Sequence, residues 1–509
     1  MNLCLVCRLV RAEPHSGLGR SMAELAQALG EAGHSVHLLT EASRAPISDL
    51  PAVSLTQIPL PPAPRLCPDF PPRAAHLNLM RAAAVYREVR RIHEHEQPVD
   101  AVLAPLWDSE GAVCLLDGRF PTLVSCMTSL RTLTEIDPTL DRYPDIAEQL
   151  SLEREALVRS RYLHGLTEAV LGKTIDDYDL HPDETAVVGR GLRDRRASAP
   201  QEAHNGRQAH VLFVGRMERR KGIDVLLGAA RELAGDATCP IVFTLAGPAS
   251  DPTIGRIVEE AAGQSGQLRA SVHIAGAVSD RTLERLFREC DIVCAPSRYE
   301  SHGVVLIEAM MFGKPIVTCD AGGIKEVVEP GHNALVVAPD DATALAASLK
   351  RLTLDADLRA RLGAAARETY ERRFEIGIVA QQTETVLERM IAANRGLAET
   401  SSDVQSGLER LLCDTFEITA DRAPMIAGEL LDPPASAWLA WADTRGHETS
   451  NEEAEELRAT LAAQDETLTF LHERHATLCR IEQGGWWRLR RHLLPLLRSA
   501  GRLRSLRRA

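Results

Sequence analysis

The sequence lacks the features that would assign it at once to a membrane, nucleic-acid-binding or repeat protein. No window reaches the roughly 20 apolar residues that a membrane-spanning helix needs. The net charge of -13 disfavours general nucleic-acid binding, which depends on basic surfaces. The N-terminal residues carry no cleavage pattern of a secretory signal, and no period typical of solenoids or propellers occurs. We therefore expect a cytoplasmic protein without a membrane span.

The sequence also lacks clustered metal ligands. Its eleven cysteines are scattered, and Cys4 and Cys7 form a lone C-x-x-C with no second ligand pair nearby. Most of the other cysteines lie in apolar runs, which is typical of small buried side chains in a reducing compartment. Two D-x-D strings, at 177–179 and 355–357, lie in polar stretches away from any strand end and are interpreted as solvated acids. We therefore expect no metal and no cofactor.

What the sequence does have is a repeated strand–loop–helix pattern. An apolar strand at residues 3–10 leads through a glycine-containing loop into an amphipathic helix at 21–32 and another strand. The pattern begins again at His210, after a polar linker at 190–209. Such alternation predicts an α/β protein with two Rossmann-like, doubly wound parallel sheets. Ligands bind such sheets at the carboxyl ends of the strands.

The segment that carries the most chemistry follows the predicted strand at 291–295. Glu300 opens a tight loop, Gly303 allows close backbone approach, and a helix begins at Val304. The amides of a first helical turn have no intrahelical partners and form a ready anion site. Glu308 lies on the same helix, so two carboxylates bracket a phosphate cradle. This arrangement suits a nucleotide-sugar, which has hydroxyls at both ends of a diphosphate; the alternative is a helix with one capping and one exposed Glu.

Two cations are predicted at a neighbouring strand end. The apolar run at 211–215 ends in Arg216, and Lys221 stands just before a helix. Arg offers a fork and Lys a point charge for phosphate, and fixed cations would stabilise the charge that develops on a departing nucleoside diphosphate. The alternative is an exposed basic turn.

The segment PSRYESHGVVLIEAMMFGKPIVTCDAGGIKEVVEPG resembles the E-x7-E region of family 4 glycosyltransferases, which are retaining enzymes of the GT-B fold. The G-R…K-G and H-S-G-L-G-R stretches are also similar to that family. The resemblance implies that Glu300 contacts the transferred sugar and Glu308 the ribose. The groups it assigns to the diphosphate are Arg216, Lys221 and the amides of Gly303, Val304 and Val305.

The loop that contains Gly17 and Gly19 has an equivalent in family 4 that faces the phosphates of the donor and the acceptor. By itself Gly17-x-Gly19 is weak evidence, because it lacks the third glycine of a dinucleotide-binding fingerprint, and a plain βα turn is the alternative. We expect acceptor recognition in the long connections at 42–72 and 127–145, where the stretch at 130–143 is interpreted as a loop.

The sequence departs from the family at two positions. His302 stands where an aromatic Phe is usual, and it would either donate to the phosphate or replace a packing residue. The His that usually lies beside the reacting sugar is replaced at Met127 or Thr128, neither of which is a useful base near neutral pH. In this family the leaving phosphate is thought to take the acceptor proton, so the reaction does not require that His. The candidate substitutes are His15, Asp108 and His164.

The GT-B resemblance completes the predicted organisation and covers residues 1–395. The predicted GT-B unit consists of an acceptor domain at 1–195, a donor domain at 205–372 that faces the acceptor domain across a cleft, and a helix at 373–395 that crosses back to the acceptor domain. Residues 396–450 receive no assignment. The helical extension at 451–509 contains a predicted amphipathic helix or coiled coil at 451–480, suited to oligomer formation.

The last residues differ in character from the rest. Segment 486–508 begins with paired Trp, interleaves Leu with Arg and contains no acid. This composition is typical of a helix that lies in a membrane interface, here at the inner face; packing against the main body is the alternative.

The sequence thus predicts a retaining glycosyltransferase that moves a sugar from a nucleotide-sugar to a glycan or lipid-linked acceptor in bacterial cell-surface polysaccharide synthesis. Two alternatives remain open: a GT-B epimerase that acts on the nucleotide-sugar, and a non-catalytic GT-B scaffold.

Overall fold

The structure is a computed structural model that describes part of the 509-residue chain. The described residues are 1–8, 10, 17–41, 49–58, 74–138, 140, 143–196, 208–234, 236–249, 256, 271–394 and 404–432. His15, the predicted oligomer segment at 451–480 and the basic segment at 486–508 lie outside them.

The N-terminal domain contains a seven-stranded sheet in the order β3-β2-β1-β4-β5-β6-β7. All neighbouring strands pair in parallel. The strands are β1 (Asn2–Val6), β2 (Ser35–Glu41), β3 (Ser54–Ile58), β4 (Ala101–Pro105), β5 (Thr122–Cys126), β6 (Tyr162–Gly165) and β7 (Glu184–Val187). The helices that accompany it are α1 (Gly17–Glu31), α2 (Ala74–His95), α3 (Leu130–Ile136), α4 (Ile146–Arg159) and α5 (Glu168–Tyr178).

The C-terminal domain contains a six-stranded sheet in the order β10-β9-β8-β11-β12-β13, again parallel throughout. The strands are β8 (Ala209–Val214), β9 (Ile241–Ala246), β10 (Val272–Gly276), β11 (Ile292–Ala295), β12 (Ile316–Cys319) and β13 (Ala334–Val337). The helices are α6 (Ile223–Leu233), α7 (Asp280–Glu289), α8 (Val304–Met311), α9 (Ile324–Val327), α10 (Ala342–Leu354) and α11 (Ala356–Arg373).

Burial explains why these segments fold as they do. The central strands β1, β4, β5, β11 and β12 are buried along their whole length, as expected for parallel strands covered by helices on both faces. In helix α8 every residue after the first is buried, because the helix lies within the apolar core of the C-terminal domain. The helix that carries Glu308 is therefore fixed in place by packing.

The chain returns to its N-terminal domain after α11. Helix α12 (Ile376–Asn394) packs against α1 and contributes Ile376, Leu387 and Met390 to the N-terminal core. Two further helices, α13 (Val404–Phe416) and α14 (Ala423–Leu431), pack on α4 and α2 respectively. Residues 404–431 thus add to the N-terminal core, a role that the sequence did not indicate.

Two expectations about the long connections were wrong in detail. The predicted loop at 130–143 contains helix α3, whose first turn is capped by the Ser129 side chain. The predicted irregular connection at 42–72 contains strand β3, because residues 54–58 extend the sheet beside β2. Neither segment shows strong periodicity, so neither element was apparent from its sequence.

Across the residues that the structure describes, none of the helices combines the length and the apolar character required to cross a bilayer.

Candidate functional site

Helix α8 begins at the carboxyl end of strand β11, at the edge of the sheet that faces the N-terminal domain. Its N-cap is Gly303, whose φ of 75° lies in the left-handed region that favours glycine. A Cβ at this position would lie 3.0 Å from Leu306 Cδ1, so a side chain would also be crowded. None of the side chains that the structure describes caps the helix. The first-turn amides of Val304 and Val305 are thus suited to hold an anion.

Glu300 is a buried carboxylate surrounded by donors. It is 7% exposed, accepts a hydrogen bond from Lys221 Nζ through Oε1, and accepts a second from the Ser297 hydroxyl at 3.1 Å. Arg220 Nη1 lies 3.6 Å from Oε2. Burial alone would raise the pKa of Glu300, but Lys221 and Arg220 outweigh that effect and lower the pKa. Glu300 is therefore ionised at neutral pH.

The contact between Lys221 and Glu300 depends on close packing of two loops. Gly222 has a φ of 68°, and a Cβ there would approach Pro296 O to 1.9 Å, so the turn fits against the end of β11 only with glycine. The Arg298 amide donates to Arg220 O at 2.8 Å and ties the same two loops together. The fold thus places the predicted cation beside the predicted carboxylate.

Glu308 is also buried, but its partner comes from the other domain. Arg20, in the first turn of α1, has Nη1 2.5 Å from Glu308 Oε1 and Nη2 2.6 Å from Asp280 Oδ1. Burial raises the pKa of Glu308 above its usual value, and the charge of Arg20 opposes the rise. Glu308 therefore lies between the domains rather than on an outer wall.

Gly17, which was predicted to lie in a loop, is the first residue of helix α1 and approaches helix α8. A Cβ added at Gly17 would lie 3.8 Å from Val304 Cγ2, and Gly19 is buried in the first turn of α1. Helix α1 begins at Gly17 rather than at the predicted position 21, so the first turn of α1 carries both glycines and lies beside the start of helix α8. Whether these glycines contact a donor stays a prediction.

Arg216 differs from Lys221, the other predicted cation, because its side chain is open to solvent. It follows Gly215 at the end of β8, its side chain is 56% exposed, and Nη2 lies 3.4 Å from Glu218 Oε1. An exposed guanidinium can reorient toward a phosphate without breaking a buried contact.

His302 is packed inside the protein. It is 3% exposed, and its ring meets Phe374 edge-on with centroids 5.7 Å apart. A Cβ on Gly189 would come within 2.5 Å of its Nε2, so the backbone crowds the imidazole from the other side. Burial lowers the pKa of His302 to about 3, with a further contribution from Arg190. The neutral ring favours the packing interpretation over a phosphate contact, which stays a prediction.

Two of the three candidate substitutes for the missing His, His164 and Asp108, have partners elsewhere, and the third, His15, lies outside the described residues. His164 is buried, its Nε2 lies 2.8 Å from Val188 O, and burial lowers its pKa to about 4. Asp108 forms an ion pair with Arg8 and accepts a hydrogen bond from Asn78 at 3.3 Å. Met127, which with Thr128 is one of the two candidates for the family His position, is itself buried. Both His164 and Asp108 therefore already have partners in the structure.

Two family models match the chain. Residues 16–191 match the "Glycosyl transferase 4-like domain", and residues 194–369 match "Glycosyl transferases group 1". The chain belongs to the family 4 glycosyltransferases of the GT-B type. This assignment confirms the resemblance drawn from the E-x7-E segment and the prediction that the chain is an enzyme. It disfavours a non-catalytic scaffold.

Characterised relatives include sugar transferases with different acceptors. The glycosyltransferase is 28% identical over 377 residues to a D-inositol 3-phosphate glycosyltransferase of Xylanimonas cellulosilytica, an alignment that covers 70% of this chain and 88% of the relative. It is 35% identical over 200 residues to a phosphatidyl-myo-inositol mannosyltransferase of Mycobacterium leprae, covering 38% of this chain and 50% of the relative.

Solved structures confirm the predicted fold class. A sucrose-phosphate synthase from Thermosynechococcus elongatus superposes with a TM-score of 0.61 at 22% identity, covering 77% of the glycosyltransferase and 99% of that chain. The Anabaena protein HepE, solved with UDP-glucose, superposes with a TM-score of 0.58 at 18% identity, covering 76% and 100%. At these identities the likeness establishes the fold.

Sequence reasoning missed several residues that complete the site. Arg220, which faces Glu300, and Ser297, which donates a hydrogen bond to it, were not among the predicted site residues. Arg20 lies within the H-S-G-L-G-R stretch but was given no role, because nothing in the sequence shows that α1 reaches helix α8. The position of Ser297 three residues before Glu300 was the one local signal available.

Proposed function

We propose that the enzyme is a retaining glycosyltransferase that uses a nucleotide-sugar donor and no metal. The observation that carries the proposal is the pair of buried carboxylates, Glu300 and Glu308, on either side of the uncapped start of helix α8. In this interpretation Glu300 accepts hydrogen bonds from the transferred sugar and Glu308 from the ribose. Lys221, Arg216 and the helix amides stabilise the diphosphate as it departs. The UDP-glucose complex of HepE supports a donor of this class.

The proposed reaction retains the anomeric configuration of the sugar. The acceptor oxygen forms a bond to the anomeric carbon on the face from which the nucleoside diphosphate leaves, and the departing phosphate oxygen takes the acceptor proton. His164 and Asp108 are held by other groups, so this route uses the groups that the site offers.

We also propose that the acceptor is a glycan or a lipid-linked saccharide for a bacterial cell surface. The relatives that act on inositol phosphate and on phosphatidyl-myo-inositol support an acceptor with hydroxyls, in one case attached to a lipid. The Trp- and Arg-containing composition of 486–508 supports attachment to an anionic membrane surface.

The test is turnover of UDP-, GDP- and ADP-hexoses by the full chain, with and without saccharide acceptors and after treatment with EDTA. We expect release of the nucleoside diphosphate to require an acceptor, to persist in EDTA and to give a product with the anomeric configuration of the donor by NMR. Interconversion of the donor sugar without an acceptor would instead identify an epimerase. A product of inverted configuration would contradict the proposed mechanism.

A further inference from the structure

One buried charge cluster joins the two domains at the candidate site. Arg20 belongs to α1 of the N-terminal domain, while Asp280 and Glu308 belong to helices α7 and α8 of the C-terminal domain. The guanidinium contacts both carboxylates, at 2.6 and 2.5 Å. Arg20 and Glu308 are 7% and 6% exposed. The contact is therefore shielded from the solvent screening that weakens surface ion pairs.

The charges around Glu308 show what Arg20 contributes. Removal from water disfavours the carboxylate form of Glu308, and the negative charges of Asp280 and Glu24 disfavour it further. Arg20 and Arg195 are the cations that oppose these effects. Burial lowers the pKa of Arg20, but Glu308, Asp280 and Glu24 outweigh that effect and raise it, so the guanidinium stays charged. Arg20 is the cation in direct contact with Glu308 Oε1.

Glu300 does not depend on the other domain in this way. The groups found to contact its carboxylate are Ser297, Arg220 and Lys221, which all belong to the C-terminal domain. These contacts to the Glu300 carboxylate therefore do not involve α1. The Glu308 environment is complete only when α1 rests against α8.

We propose that Arg20 is a positioning residue that orients Glu308 and keeps it ionised for the donor ribose, so that this half of the donor site is completed by closure of the N-terminal domain. The proposal rests on the proposed function, because it requires a nucleotide donor whose ribose meets Glu308. A carboxylate accepts hydrogen bonds from both hydroxyls of a ribose, whereas a protonated carboxyl carries a hydrogen that competes with them. Donor affinity and domain closure are then coupled through one guanidinium.

An unpartnered hydrogen-bond donor on Arg20 supports the presence of a ligand site beside this residue. The Nε–H of Arg20 is buried and has no hydrogen-bond partner among the described residues. Such orphaned donors are rare in folded proteins and call for an explanation. The start of helix α8, which approaches Gly17 of the same N-terminal segment, offers its amides nearby. A donor phosphate or ribose oxygen that reached the Nε–H would satisfy the remaining donor.

The test compares Arg20→Gln with Arg20→Lys and a matched control. The control, Arg193→Gln, removes another Arg–Glu pair made with α1, to Glu31 at 2.7 Å, but this pair is exposed and lies away from Glu308. UDP, GDP and ADP are titrated calorimetrically into each full-length protein across the acid-to-neutral range. Circular dichroism verifies the fold of every variant.

We expect Arg20→Gln to weaken binding of the nucleoside diphosphate by about ten-fold to a hundred-fold, the effect of losing a hydrogen bond to a charged group. Without its adjacent cation, Glu308 should become protonated at a higher pH. Binding should therefore fail at a higher pH than in the wild type. Arg20→Lys should restore part of the affinity and the wild-type pH profile, and Arg193→Gln should match the wild type in both.

Each contrary outcome has a distinct meaning. If the wild type binds a nucleoside diphosphate and Arg20→Gln leaves its affinity and pH profile unchanged, the positioning role is wrong while the proposed function stands. A weakened affinity with no shift of the pH profile, and with no rescue by Lys, would also overturn the role. If the wild type binds none of the three nucleotides, the proposed function fails and this inference fails with it. Should Arg20→Gln not fold, Arg20→Lys decides: a lowered affinity with the wild-type pH profile supports the role, and an unchanged affinity or a shifted profile overturns it.

Discussion

Glu300 and Glu308 are separated by seven residues and are equally buried, but the protein holds them in opposite ways. Glu300 is surrounded by a hydroxyl and two cations of its own domain, which lower its pKa. Glu308 is carried by a helix in the apolar core, its pKa is raised, and its contacting cation arrives from the other domain. The comparison shows how one motif supplies a carboxylate whose contacting cations come from its own domain and one whose contacting cation comes from the other domain.

The largest effect should follow from removing the charge of Glu300. Glu300→Gln keeps the shape of the side chain but replaces a charged acceptor at the transferred sugar, so we expect kcat to fall by about a hundred-fold to a thousand-fold. Initial rates of nucleoside diphosphate release measure the change. Glu329→Gln, at an exposed position of the same domain, is the control and should keep wild-type rates. An unreduced kcat of Glu300→Gln would show that Glu300 takes no part in the reaction.

Lys221→Ala should produce the largest loss of stability. It leaves the buried Glu300 without its contacting cation, and breaking a buried pair costs about 3 kcal/mol in the free energy of unfolding. Arg220→Ala removes a cation 3.6 Å from the same carboxylate and should cost less. Denaturant titrations compare the two variants. Equal losses, or a larger loss for Arg220→Ala, would show that Lys221 is not the main counter-charge.

As pH rises, the two glutamates should change the stability of the protein in opposite directions. Glu300 has a folded pKa below 4.5, so its contribution is present above pH 4.5 and is lost as pH falls through the folded pKa. Glu308 has a folded pKa above 4.5, so its contribution is present below pH 4.5 and is lost as pH rises through the folded pKa.

Relative to the wild type, Glu300→Gln should therefore lose stability as pH rises toward 4.5, and Glu308→Gln should gain stability as pH rises above 4.5. Denaturation midpoints at a series of pH values give both difference curves. Curves that slope in the same direction would contradict the opposite environments of the two carboxylates.

Arg216→Ala should have the smallest effect on stability. Its side chain is mostly exposed, so we expect the free energy of unfolding to change by less than about 0.5 kcal/mol. Because Arg216 is proposed to meet the leaving diphosphate, kcat should nevertheless fall. A large loss of stability with unchanged kcat would assign Arg216 a structural role instead.

The sequence predicted those parts of the protein whose local pattern is strong. Buried apolar runs such as 292–295 were recognised as strands, and the strand-to-helix turn around Gly303 was placed correctly because glycine and helix signals coincide there. Strand β3 and helix α3 were missed, since their residues are polar and their structure depends on pairing with β2 and on the cap at Ser129.

Contacts between distant segments could not be predicted from local pattern. The meeting of Arg20 and Glu308 joins residues 288 positions apart, and the packing of α13 and α14 on the N-terminal domain depends on where the crossing helix α12 ends. Of the two cations beside Glu300, Lys221 was predicted, because it stands at a helix start. Arg220 was not predicted, because only the direction of its side chain distinguishes it from Arg219.

Paired titrations test most directly the proposal that Glu300 meets the sugar and Glu308 the ribose of one donor. The nucleotide-sugar that the wild type turns over and its nucleoside diphosphate are titrated into Glu300→Gln and Glu308→Gln. We predict that Glu308→Gln weakens both ligands by the same factor, about ten-fold, whereas Glu300→Gln weakens only the nucleotide-sugar. Unchanged affinity of Glu308→Gln for the nucleoside diphosphate would contradict the account.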